Sequence, residues 1–91
     1  MDLQDLRLQI NKIDDELILL FERRMDLSVE IARYKRQRNI PVYDPAREQE
    51  ILGNISGKVR EGRESSITAL YSLLFELSRA EQKKIINSEV V

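Results

Sequence analysis

Cysteine, histidine and tryptophan are absent from this chain of 91 residues. Their absence excludes a disulfide framework, a zinc or haem site built on Cys or His, a thiolate nucleophile and an imidazole general base. Long apolar runs are absent too: the longest, at 17–21, has five residues, which is far too short to span a membrane. With no visible signal peptide, we expect a cytoplasmic protein that has no membrane partner and no bound metal.

Neither sign of charge is in excess, since 15 Lys and Arg residues stand against 16 Asp and Glu residues. This balance predicts no nucleic-acid partner. An enzyme of this composition has to work with Arg, Lys, Asp, Glu, Ser and Gln side chains alone.

Glycine and proline are scarce, at three and two residues, and none precedes Pro41. Together with 42% apolar and only 5% aromatic residues, this scarcity predicts an all-α fold. We expect one domain, 1–91, with helices at about 3–36, 45–58 and 66–86, the third beginning near Ser65 or Ser66. Asp44 and Pro45 suit the start of the second helix. A polar loop is expected at 58–64, and the chain is expected to fray from Asn87 to Val91.

Apolar residues of the first helix recur at alternating intervals of three and four, the pattern of a heptad seam. They are Leu3, Leu6, Ile10, Ile13, Leu17, Leu20, Leu27, Ile31 and Tyr34. A helix of this length measures about 50 Å, whereas a domain of this size has a radius of gyration of only about 13 Å. The helix therefore overhangs its own domain and exposes an apolar stripe, which predicts a two-fold dimer with a second copy of the chain.

The two shorter helices each carry an apolar face. In the second helix the expected core residues are Ile51, Leu52, Ile55 and Val59. In the third they are Ile67, Leu70, Tyr71, Leu74, Leu77 and Ile85.

Arg24 occupies the position where the seam calls for an apolar residue. Taken alone, it is explained equally well by a polar residue that sets the register of a coiled coil. Lys35 lies about three turns later in nearly the same direction, with Ser28 between them. Because buried cations are costly unless paired, two such cations favour a site for a small anion such as a carboxylate ligand.

The second helix adds Arg47 and Glu48 in its first turn, just after Asp44. Each has a simpler explanation. Arg47 suits a surface ion pair with Asp44 or Glu50, and Glu48 suits the positive end of the helix dipole. A binding role for Arg47 and Glu48 is favoured only when they are considered together with the other polar residues.

The third helix carries two neutral polar residues, Ser78 and Gln82, within its apolar stripe. A hydrogen-bonded pair at the edge of the core explains them as well. Their hydrogen-bonding groups also suit a polar ligand.

Arg7 precedes Arg24 by about 25 Å along the helix axis, too far to share a small ligand within one chain. Two first helices paired antiparallel about residue 18 would place Arg7 level with about residue 30 of the other chain. That level lies between Arg24 and Lys35. The predicted dimer would thus bring a third cation to the same place.

Three segments together resemble the all-helical chorismate mutases. Residues 6–35, LRLQINKIDDELILLFERRMDLSVEIARYK, contain an early Arg, an Ile-x-x-Ile-Asp-x-x-Leu pattern, an Arg pair and a Lys eleven residues after the second Arg. Residues 41–52, PVYDPAREQEIL, are similar to the family's loop and second-helix start, and residues 75–82, FELSRAEQ, carry a Ser and a Gln four apart. The resemblance implies an intertwined antiparallel homodimer of three-helix chains with two equivalent sites.

The resemblance also implies a reaction, the Claisen rearrangement of chorismate to prephenate in phenylalanine and tyrosine biosynthesis. This reaction needs no cofactor, metal, nucleophile or proton shuttle. Arg7 of the partner chain and Arg24 would hold the two carboxylates of the substrate, with Ser78 assisting.

The remaining roles follow from the same resemblance. Lys35 and Gln82 would donate hydrogen bonds to the ether oxygen of the breaking bond. Glu48, with the backbone near Asp44, would hold the ring hydroxyl. Arg47 would lie at the wall of the site and orient its neighbours.

Two alternatives stay open on the sequence alone. An isochorismate pyruvate-lyase would share the fold and the cationic site. A non-catalytic helical dimerisation module would explain the heptad seam but not the polar residues that interrupt the apolar faces. The chain fits both a free-standing enzyme and the amino-terminal part of a longer biosynthetic protein.

Overall fold

The computed structural model describes residues 1–88 and consists of three α-helices joined by two loops. The helices are α1 at Leu3–Gln37, α2 at Pro45–Ser56 and α3 at Glu64–Ser88. Residues 1–88 contain no strand, so the predicted all-α, three-helix architecture is confirmed. Of the residues expected to fray, 87 and 88 are helical, and 89–91 lie outside the described part of the chain.

Side-chain and backbone caps fix both ends of α1. At its start, the Asp2 carboxylate accepts a hydrogen bond from the backbone N–H of Asp5 at 2.9 Å, half of a capping box. At its end, Asn39 adopts a left-handed conformation with φ of 55°, and the N–H of Ile40 donates to the Lys35 carbonyl at 2.9 Å. This is the hydrogen bond of a Schellman motif, which turns the chain out of the helix.

Helix α2 begins where the sequence places it, at Pro45, because the Asp44 carboxylate caps the N–H of Arg47 at 3.1 Å. It ends at Ser56, two residues before the expected 58, and Gly57 is its C-cap. The Ser56 hydroxyl also donates to the carbonyl of residue 53 at 3.0 Å. These local contacts end the helix early.

Helix α3 begins at Glu64, earlier than the expected start near Ser65 or Ser66. The N–H of Ile67 donates to the carbonyl of Arg63 at 3.0 Å, so the first helical hydrogen bond reaches back to that residue. In addition, the N–H of Gly62 donates to the Glu64 carboxylate at 2.9 Å. The loop between α2 and α3 therefore spans 57–63, which is as long as the predicted loop at 58–64 but lies one residue earlier.

Helix α3 packs against both α1 and α2, and the core that results is small. Its buried residues are Met25, Ser28, Ala32, Ile55, Phe75 and Gln82. Two residues expected in this core, Leu70 and Leu77, are instead 46% and 39% exposed. They face a groove between α3 and residues 17–24 of α1. Within residues 1–88, no other segment covers this groove. Phe75, absent from the expected set, takes their place in the core.

The heptad seam of α1 is exposed along its whole length. All nine of its members are at least 46% exposed, and every residue from 1 to 20 is exposed. The molecule measures 57 × 26 × 13 Å with a radius of gyration of 16.6 Å, larger than the roughly 13 Å of a rounded domain of about 100 residues. Half of α1 therefore overhangs the core, as the periodicity predicts. Among residues 1–88, no helix is long and apolar enough to cross a membrane.

Candidate active site

A cavity of about 390 Å³ lies where the C-terminal half of α1, the start of α2 and the middle of α3 meet. Seven predicted site residues line it: Arg24, Lys35, Asp44, Arg47, Glu48, Ser78 and Gln82. Two further polar residues share the wall, Ser28 and Arg79. Apolar side chains complete it: Leu27, Ile31, Val42, Ile51 and Phe75.

The α1 wall of the cavity supplies two half-buried cations. The Lys35 ammonium donates to the Val42 carbonyl at 2.7 Å, a contact that the Schellman turn makes possible by bringing the chain back over the helix end. The Arg24 guanidinium lies 5.8 Å from the centre of the Tyr71 ring. Within residues 1–88, neither cation forms an ion pair. Both charges therefore remain available to an anionic ligand.

A chain of hydroxyl and amide groups links α1 to α3 beneath these cations. The Ser28 hydroxyl, 3% exposed, donates to the Arg24 carbonyl at 3.1 Å and lies 2.6 Å from the Ser78 hydroxyl. The Gln82 amide nitrogen donates to Ser78 at 3.2 Å. The Gln82 amide oxygen is buried, and no group within residues 1–88 donates to it. Such an unpaired group is rare in a protein interior, and here it lies at a cavity.

Helix α2 presents its first turn to the cavity. The Arg47 guanidinium contacts Glu50 at 2.5 Å, and both side chains are mostly exposed. This is the surface ion pair that the sequence offered as the simpler explanation of Arg47. Asp44 caps the helix, so in this structure its carboxylate holds the turn that carries Arg47 and Glu48.

Glu48 forms an ion pair with Arg79 of α3 at 2.5 Å, with side chains that are 20% and 28% exposed. The Arg79 guanidinium also lies 5.2 Å from the centre of the Tyr43 ring. The hydrogen bond that the Arg79 guanidinium donates to the Glu48 carboxylate raises the pKa of Arg79 above its already high ordinary value, so this cation is permanent. Sequence reasoning missed Arg79, because a basic residue beside Ser78 is equally typical of a solvated helix face.

Arg7 is the one predicted site residue that does not line the cavity. It lies in the exposed half of α1, about 25 Å along the helix axis from Arg24. A second, apolar groove of about 530 Å³ separates the two regions, and Arg24 lines both the groove and the cavity. The other residues of this groove are Leu17, Ile18, Leu20, Phe21, Ile67, Leu70, Tyr71, Leu73, Leu74 and Leu77.

The cavity has the size of a small metabolite, and its wall provides positive charges and hydrogen-bond donors. Within residues 1–88, no three His, Cys, Asp or Glu side chains are grouped so that they could hold a metal ion. The wall suits a ligand that carries carboxylates and hydroxyl or ether oxygens, because each cation and each amide can pair with one of these groups.

Comparison with known proteins shows a family. The family described as chorismate mutase type II matches residues 6–83. The chorismate mutase of Methanocaldococcus jannaschii is 30% identical over 86 residues, which cover 92% of this chain and 87% of that protein. A bifunctional chorismate mutase/prephenate dehydratase of Buchnera aphidicola subsp. Schizaphis graminum is 35% identical over 94% of this chain.

Three more findings limit the comparison. The chain spans only 23% of that Buchnera aphidicola protein. A 4-amino-4-deoxychorismate mutase of Streptomyces venezuelae is 41% identical over 46 residues, 50% of this chain and 45% of that protein. No solved structure matches the chain.

Proposed function

Because the chain belongs to the chorismate mutase type II family, we propose that it catalyses the rearrangement of chorismate to prephenate. One observation carries the proposal: seven residues predicted from three separate segments of sequence line a single cavity. The family match spans all three of those segments.

In the proposed reaction, the ether C–O bond of chorismate breaks while a C–C bond forms within the same molecule. No atom enters or leaves, so the protein has to supply only conformation and charge. Holding a flexible dianion with its reacting carbons close together lowers the entropic part of the barrier. Arg24 would bind a carboxylate through its planar guanidinium, and Ser78, which lines the same cavity, would assist.

Lys35 and Gln82 are assigned to the ether oxygen, where negative charge builds up as the bond breaks. The ammonium group has three protons and uses one on the Val42 carbonyl, so it can donate another to the substrate. The Gln82 amide has a second N–H beyond the one it donates to Ser78. Donors held in place before the reaction stabilise this charge without reorganisation.

Glu48 is assigned to the ring hydroxyl, with the backbone near Asp44 assisting. Its Oε2 atom is engaged by Arg79, and within residues 1–88 its Oε1 atom has no hydrogen-bond partner. Arg47 lies at the rim of the cavity, where its pair with Glu50 would orient it rather than place it on the substrate.

The proposal includes a homodimer in which Arg7 of one chain completes the site of the other. The nine exposed members of the heptad seam support a partner, because a monomer rarely exposes so much continuous apolar surface. An antiparallel pairing of two α1 helices would cover this seam and carry Arg7 toward Arg24. The cytoplasmic location expected from the sequence stays a prediction.

The test is to incubate the purified protein with chorismate and, separately, with isochorismate, and to identify the products. Prephenate from chorismate supports the proposal. Salicylate and pyruvate from isochorismate, without prephenate, would establish the lyase instead. Consumption of neither substrate by a stable dimer would favour the dimerisation module.

A further inference from the structure

We propose that Arg79 determines which substituent the site accepts on the substrate ring. By cancelling the charge of Glu48, it favours a neutral hydroxyl over an ammonium group at the same ring carbon. This inference rests on the proposed function, in which Glu48 contacts that substituent. It assigns a role to a residue that the reaction itself does not require.

The Arg79–Glu48 pair differs in its setting from the Arg33–Glu30 and Arg47–Glu50 pairs. Its side chains are 28% and 20% exposed, whereas those of the Arg33–Glu30 pair are 45% and 66% exposed. The Tyr43 ring covers the guanidinium at 5.2 Å. Charges that are partly withdrawn from water interact more strongly than exposed ones, so Arg79 changes what Glu48 presents to a ligand.

The pair also joins two helices at the cavity wall. Glu48 lies in the first turn of α2 and Arg79 in α3, and both side chains line the cavity. Arg79 occupies Oε2 of the carboxylate and leaves Oε1 without a partner within residues 1–88. Glu48 therefore retains one carboxylate oxygen, Oε1, that can accept a hydrogen bond from a ligand.

A hydroxyl and an ammonium group can both donate to that acceptor, but their charges differ. A primary amine with a pKa near the roughly 7.7–8.0 of an α-amino group is mostly protonated at pH 7. With Arg79 present, the ammonium group meets an ion pair whose charges cancel, so its lost hydration is not repaid. A hydroxyl carries no charge, so the hydration that it loses on binding costs little free energy. The cation thus discriminates by disfavouring one partner rather than by attracting the other.

The experiment compares kcat/KM for chorismate and for 4-amino-4-deoxychorismate at pH 7 in the wild-type protein and in Arg79→Met. We expect the ratio of amino to hydroxyl substrate to rise by about tenfold or more in Arg79→Met, because charges a few ångströms apart and partly desolvated interact this strongly. Since both substrates are assayed on one preparation, partial unfolding cancels in the ratio. Arg79→Gln serves as a second variant if Arg79→Met does not fold.

Three controls sharpen the result. Arg79→Lys keeps the positive charge and should keep the ratio within about threefold of wild type. Glu48→Gln removes the negative charge, leaves the cation, and should move the ratio in the opposite direction. Arg33→Met removes a cation from an exposed ion pair outside the cavity and should leave the ratio unchanged.

The outcomes separate this inference from the proposed function. If the wild-type protein does not convert chorismate, the proposed function fails, whether or not it converts the amino substrate. If it converts chorismate, and Arg79→Met and Arg79→Gln lower kcat/KM for both substrates by the same factor, Arg79 only maintains the structure and the inference is overturned. A ratio that rises in Arg79→Lys as much as in Arg79→Met would overturn it as well.

Discussion

Single residues of the cavity owe their expected roles to the contacts that hold them. Lys35 is tethered to the Val42 carbonyl, and Gln82 is tethered to Ser78. Each tether uses only part of the donor capacity of the side chain. Both side chains line the cavity, so the remaining donors can serve a substrate there while the tethers persist. Donors held in place before the reaction are what strong electrostatic stabilisation of a transition state requires.

Replacement of Lys35 by alanine should lower kcat by about two to three orders of magnitude, because one preorganised donor to the developing charge is lost. Folding should be intact, since Lys35 is half-buried and forms no ion pair within residues 1–88. Steady-state kinetics and circular dichroism measure the two effects. Lys83→Ala, an exposed lysine outside the cavity, is the matched control, and near-normal turnover in Lys35→Ala would contradict the assignment.

Replacement of Gln82 by glutamate should make turnover depend on pH, with the greatest rate at low pH. The neutral amide donates a hydrogen bond at every pH, whereas a carboxyl group donates only when protonated and otherwise repels the developing charge. Turnover should therefore be flat across neutral pH in the wild type. In Gln82→Glu it should be greatest at low pH and fall as pH rises through the glutamate pKa, which is about 4.3 for an unperturbed group. A pH–rate profile of Gln82→Glu that matches the wild type would rule out this role.

At the scale of the secondary-structure elements, the ends of the helices determine where the residues that line the cavity lie. The Schellman turn at Asn39 ends α1 and brings Val42 to Lys35. The Asp44 cap starts α2, so that Arg47 and Glu48 fall on its first turn. Local hydrogen bonds at these two helix ends thus position Lys35, Arg47 and Glu48 for the cavity.

Replacement of Asp44 by alanine should destabilise the protein by about 1 kcal/mol, the typical effect of losing an N-cap side chain. For a chain of this size, that corresponds to a fall in Tm of about 4–8 °C. Asp44→Ser keeps a capping oxygen and should restore most of the loss. Thermal unfolding at equal protein concentration checks both variants, and an unchanged Tm in Asp44→Ala would show that the cap contributes nothing.

At the scale of the whole molecule, a single chain leaves most of the apolar residues of its helices exposed to solvent. Within residues 1–88, only four apolar residues are buried: Met25, Ala32, Ile55 and Phe75. The seam of α1 and the apolar groove beside α3 both lie open. Arg24 lies where the groove meets the cavity. A second chain that filled the groove would therefore reach the site, which connects assembly with the proposed activity.

Mixing two inactive variants tests this connection. Arg7→Ala and Arg24→Ala should each be dimeric, with a mass twice the 10.7 kDa of one chain, and inactive. After subunit exchange, half of the dimers should be mixed, and each mixed dimer has one intact site and one site lacking both arginines. About a quarter of wild-type activity should return. The measurements are sedimentation and turnover before and after exchange under mild denaturant, and a mixture that stays inactive although exchange has occurred would exclude a shared site.

By itself, the sequence determined the properties that depend on neighbours along the chain. The lack of glycine and proline before Pro41, the heptad periodicity and the Asp44–Pro45 start signal follow from local backbone and capping energetics, and they suffice for the three helices and for the overhang of α1. Motif spacing likewise indicated the family, and the match over residues 6–83 confirmed it. Only the tertiary structure decided which faces are covered. Phe75 replaced Leu70 and Leu77 in the core because α3 meets α1 beyond residue 20, and Arg79 joined Glu48 across 31 positions because two helices cross at the cavity. Contacts of this kind arise from packing between elements, and no local pattern encodes them.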